Sequence, residues 1–132
     1  MTDSVAPPSS SPACDPEGLL RMLNGDRDSV RDLVQTFLDN FPQLLGELDQ
    51  ALAESAESGM PEPLRRTVHR IKGVCAIFAT GRIVARAREI EALLLAGAVP
   101  AGVDESALWR EELQQVATEM TAFNRSLAAV DD

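Results

Sequence analysis

The sequence predicts an all-α protein, an antiparallel four-helix bundle with an extra short N-terminal helix. Three observations carry this reading. Apolar residues recur at steps of three and four along every long segment. No stretch of five or more residues alternates apolar with polar. The breaks between periodic segments are short and rich in Gly, Pro, Asn and Ser, which makes sequential helices antiparallel neighbours. The 132 residues, 45% of them hydrophobic, suit one domain with a modest core.

Residues 1–14 are mostly Ser, Pro, Ala and Asp and are expected to be a disordered tail or linker. The bundle is assigned to 15–129, and 130–132 to a disordered end. Asp15-Pro16 offers a cap followed by a first-turn proline, so a short helix should span about Pro16 to Leu23. Asn24-Gly25 supplies its stop. From Asp28 the apolar positions Val30, Leu33, Val34, Phe37, Leu38, Phe41, Leu44, Leu45, Leu48 and Leu52 form one stripe. Pro42 lies inside it, but the phase continues across, which predicts a bent helix and not two elements. Ser58 to Pro61 is the next break.

A third helix is expected from Pro61 to Ala79, with Leu64, Val68, Ile71, Cys75 and Phe78 inward. After a turn at Thr80-Gly81, a fourth should run from Arg82 to Ala96, burying Ile83, Ala87, Ile90 and Leu94. Residues 97–105 hold two Gly and one Pro and read as a loop. The last helix is expected from Ser106 to Ala128, with Trp109, Leu113, Val116, Met120, Phe123 and Leu127 inward.

Composition narrows the function. A net charge of −9 argues against nucleic-acid binding, which needs clustered cations. One histidine and two widely separated cysteines, Cys14 and Cys75, provide no metal site. Both thiols are expected to be reduced, in a cytoplasmic protein. No 18-residue apolar run exists for a membrane span, and the N-terminus lacks the pattern of a secretory signal.

Any imidazole chemistry must use His69. On a wheel of roughly 100° per residue it lies about 140° from the inward direction of its helix, facing solvent. Between Leu64 and Arg88 there are seven cations and no Asp or Glu, whereas the rest of the chain has five cations against 21 acids. Glu62, Arg65, Arg66, Lys72, Gly73 and Ala76 share the outer side with His69, and Arg70 follows it. Gly73 costs a helix about 1 kcal/mol relative to Ala. It points away from the core, so an approaching partner explains it better than internal packing.

The run His69-Arg70-Ile71-Lys72-Gly73, with Ile90-Glu91 on the next helix and a proline-containing helix upstream, resembles the histidine-containing phosphotransfer (Hpt) domains of bacterial phosphorelays. The resemblance covers roughly residues 17–128. Ala79 stands where many members carry glycine, and Gly81 follows two positions later. The resemblance implies a phosphocarrier with no ATP site of its own and no cofactor, its Mg²⁺ being held by the partner. His69 would accept a phosphoryl group from one receiver-domain aspartate and pass it to another. Lys72 would stabilise the charge and Gly73 give clearance. Arg65, Arg66, Arg70 and Ala76 would dock receiver domains of response regulators or hybrid sensor kinases. The chain is expected to act as a monomer, without nucleic acid or membrane. The alternative is a helical adaptor that binds a signalling partner through its basic stripe and is never phosphorylated.

Overall fold

The structure is a computed structural model and describes residues 13–78 and 81–131. Five helices follow in order: α1 Pro16–Met22, α2 Arg27–Ser58, α3 Glu62–Cys75, α4 Gly81–Leu95 and α5 Val99–Asp131. There is no strand among the described residues. α2 packs on α3 and α5, and α4 packs on α3 and α5, which closes a four-membered ring. Cross-helix pairs and the short connections show each neighbour to be antiparallel, α2 and α3 through Ser55 with Leu64 and Glu47 with Arg70. Arg27 reaches the Leu127 carbonyl and Arg110 reaches Asp49 between α2 and α5, Lys72 meets Glu91 between α3 and α4, and Arg86 meets Glu105 between α4 and α5.

The anticipated stripes form the core. Leu64, Val68, Ile71 and Cys75 of α3 and Ile83, Ala87, Ile90 and Leu94 of α4 are buried. Trp109, Leu113, Val116, Met120 and Leu127 of α5 join them, with Phe123 partly buried. α2 runs unbroken through Pro42, whose ring lies on the exposed side between buried Phe41 and Leu44.

α2 and α5 have 32 and 33 residues, whereas α3 and α4 have 14 and 15. The short hairpin therefore covers only part of the long pair, and α1 packs against α2, adding Leu19 to the core. The Asp15 side chain caps α1 by accepting from the Gly18 amide. Left-handed Asn24 and Gly25 end that helix, as expected.

The N-cap position of α3 is Pro61, which makes no side-chain cap bond. The Leu64 amide instead donates to Ser55 Oγ, a buried hydroxyl on α2, at 3.2 Å. A neighbouring helix thus satisfies an orphan donor of the first turn and fixes where α3 starts.

Four boundaries differ from expectation. Residues 97–105 are not a loop, because α5 starts at Val99. The turn is the three residues 96–98, with Gly97 at φ +82° and the Gly97 and Ala98 amides donating to the Leu94 and Leu93 carbonyls. Pro100 then falls in the first helical turn, where its missing N–H costs nothing. Gly102 lies inside the helix because a Cβ there would stand 2.5 Å from Leu94 Cδ2.

At the N-terminal end, Ala13 and Cys14, expected in the tail, are buried; residues 1–12 lie outside the described residues. At the C-terminal end α5 continues through residues 130 and 131, which were expected to be disordered. α3 also stops at Cys75, short of Ala79, and Ala79 and Thr80 lie outside the described residues.

The glycines give a stability test. A methyl group added at Gly46, in mid-α2, would stand in open space, so Gly46→Ala should stabilise by about 1 kcal/mol through helix propensity. Gly102→Ala gains the same propensity but overpacks Leu94, and should lose about 1 kcal/mol net. Urea midpoints at constant m-value check both.

Candidate functional site

His69 and Lys72 are one turn apart on α3, on the side away from Leu64, Val68 and Ile71. The His69 side chain is 68% exposed and that of Lys72 21%. The antiparallel packing of α4 brings Glu91 beneath both. Glu91 Oε2 lies 2.8 Å from His69 Nδ1, and Oε1 lies 2.6 Å from Lys72 Nζ. Ile90, the residue before it, is buried in the core, so Glu91 is held at the flank of the bundle.

This carboxylate sets the tautomer of the neutral imidazole. An ionised carboxylate only accepts hydrogen bonds, so in the neutral ring Nδ1 carries the proton and donates it to Glu91. Nε2 then keeps its lone pair. Burial alone would raise the Glu91 carboxyl, but the bonds from Lys72 and His69 outweigh it and hold the group below the usual carboxylate range.

Gly73 and Ala76 follow on the same side and are exposed, and a Cβ added at Gly73 would meet nothing within 4 Å. No internal contact requires that glycine. Val74 and Ile77, 39% and 46% exposed, add apolar surface beside them. Sequence reasoning did not single out this pair, although their position one and four residues beyond Gly73 was visible.

The arginines are less bare than the run of cations suggested. Arg65 forms a two-pronged pair with Glu62, at 2.9 and 2.8 Å. Arg70 pairs with Glu47 of α2, and Arg66, 74% exposed, lies 4.0 Å from Glu62. On α4, Arg86 bonds Glu105 and Glu112. The expectation of a purely basic surface around His69 is therefore corrected: acids outside the 64–88 window face the cations. Glu91 is the important omission. The signal was available, since an antiparallel hairpin turning near Thr80 sets residue 69 opposite residue 91.

Among the described residues, no three His, Cys, Asp or Glu side chains converge to hold a metal ion. No described helix is long and apolar enough to cross a membrane. Both cysteines are free. Burial pushes the Cys75 thiol up to about 12, so it is not a nucleophile near neutral pH.

Residues 32–119 match the sequence profile of the Hpt domain. Among solved structures, the chain is similar to histidine-containing phosphotransfer protein B (HptB) from Pseudomonas aeruginosa PAO1. That likeness has a TM-score of 0.70 at 19% identity, over 89% of this chain and 98% of the other. The search of curated proteins gives no match.

The bridge predicts a titration. Glu91 is depressed, so its contribution to stability is present above the unfolded value and fades as pH falls through the folded one. Lys72→Met removes one of the two bonds that offset burial. Its Glu91 carboxyl should titrate at higher pH than in the wild type, read from the side-chain carboxyl carbon by NMR. An unmoved midpoint would show that Lys72 does not hold the group.

Proposed function

The chain belongs to the Hpt domain family, and from that premise we propose that it is a phosphocarrier relaying phosphoryl groups between receiver-domain aspartates through Nε2 of His69. The observation that carries this reading is the exposed imidazole whose Nδ1 is tied to Glu91. The step balances without another reactant. The Nε2 lone pair attacks the phosphorus of an aspartyl phosphate, the N–P bond forms, and the P–O bond breaks to release the aspartate carboxylate. The ring keeps its Nδ1 proton and becomes cationic, and Glu91 supports that charge. Transfer onward reverses the same bonds on a second receiver.

Phosphoryl transfer depends on positioning and on neutralising charge more than on covalent work by the protein. Glu91 positions the ring and Lys72 places an ammonium one turn from it, where it stabilises phosphoryl oxygens. Gly73 and Ala76 leave room for a receiver to approach, and Arg65, Arg66 and Arg70 border the docking surface. Magnesium belongs to the receiver's acidic pocket. The relay works as a cytoplasmic monomer, and its partners are receiver domains of response regulators or hybrid sensor kinases.

Incubation with a phosphorylated receiver should give an acid-labile, base-stable label on this chain. His69→Gln should abolish it; a label that persists would refute the assignment. Absence of label on the wild type, with receiver binding unaffected by His69→Ala, would favour a non-phosphorylated adaptor.

Two further variants separate orientation from access. Glu91→Gln should slow transfer roughly 10- to 100-fold, the loss expected for one charge-assisted hydrogen bond that orients the nucleophile. Gly73→Glu should keep the helical fold by circular dichroism yet block transfer. Unchanged rates in Gly73→Glu would remove clearance as the reason for that glycine.

A further inference from the structure

We propose that residues 13–15 form a strap, latched to α5 through Glu119, that clamps the turn ending the His69 helix. Ala13 and Cys14 are 0% and 2% exposed although they belong to no helix. A buried segment of this kind must find partners for its amides. Here one carboxylate takes them. Ala13 N donates to both oxygens of Glu119 at 2.9 Å, and Cys14 N donates to Oε1 at 3.1 Å. Cys14 Sγ donates to the same oxygen at 3.2 Å, and Gln115 Nε2 donates to Oε2 at 2.8 Å.

The next link leads to α3. Asp15 N donates to the Phe78 carbonyl at 3.0 Å, and Phe78 N donates to the carbonyl of Cys75, the last residue of α3. The Phe78 ring packs on Phe37 with centroids 4.7 Å apart. A chain of contacts therefore runs from Glu119 through Ala13, Cys14 and Asp15 to the turn beyond Ala76 and Ile77. The strap also accounts for the buried free thiol. Burial and the adjacent carboxylate push the Cys14 thiol up, so it stays protonated and serves as a donor. The several strap bonds converge on a single side chain, which makes Glu119 a single-point latch.

The strap does not depend on whether His69 carries phosphate, and its test does not measure transfer. Amide hydrogen exchange is followed by NMR in the full chain and in Glu119→Gln, which keeps the shape but removes the charge and replaces one of the two acceptor oxygens with an NH₂. The Cys14, Asp15 and Phe78 amides should exchange about tenfold faster or more, with Ile71 and Val116 unchanged. Cys14→Ser retains a donor and should stay near wild-type rates. The proposal is overturned if Asp15 and Phe78 exchange within about twofold of wild type in Glu119→Gln, or if all amides accelerate together. It is also overturned if Cys14→Ser speeds them as much as Glu119→Gln, which would assign the effect to packing.

Discussion

Glu91 bridges His69 and Lys72 only because α3 and α4 are locked in one antiparallel register. Each helix buries four apolar residues on one side, and rotating either by one position would carry Ile71 or Ile90 toward water. Polar contacts fix the axial position. Ser55 on α2 holds the Leu64 amide at the start of α3, and the Trp109 indole N–H donates to the Ile83 carbonyl at the start of α4, at 3.1 Å. The imidazole is thus oriented by the core, through side chains that never touch it. The ordering is complete before any partner arrives, which is what the proposed transfer would need.

The same register organises the charges. Arg70 finds Glu47, Lys72 finds Glu91, and Arg86 finds Glu105 and Glu112, each across a helix boundary. Exposed pairs of this sort add little stability in water. Their larger effect is on the surface a partner meets. That surface is not a uniform basic field. It combines the exposed imidazole with exposed Gly73 and Ala76, the part-exposed apolar Val74 and Ile77, and the mostly exposed Arg66. Such a mixture suits a contact that forms and dissolves, with electrostatics steering the encounter more than setting its strength.

Much of this was legible in the sequence, for identifiable reasons. Helix type and inward faces followed from the 3.6-residue period, which the core obeys at every anticipated position of α3 and α4. His69 was placed outward by the same period, and its side chain is exposed. The failures share a cause, which is tertiary context. Gly97, Pro100 and Gly102 look alike as breakers in a string of letters. Only the first turns the chain, and the third answers to Leu94 across a helix interface. Cys14 looked like tail because its partner, Glu119, stands 105 positions away. Glu91 was seen as half of a pair with Ile90 but not as a ligand of His69, because a charge count along one segment ignores what the next helix folds over it.

The division of labour within α3 explains how the site tolerates its own cost. A helix of 14 residues is too short to persist alone in water. Its interior glycine weakens it further, by about 1 kcal/mol. Leu64, Val68, Ile71 and Cys75 are all at 0% exposure, and burial of that stripe outweighs the glycine several-fold. Stability therefore resides on one side of the helix, and His69 and Gly73 lie on the other, roughly 140–180° apart. The outward side can carry His69 and Gly73, on which the proposed transfer rests, because nothing in the core depends on them.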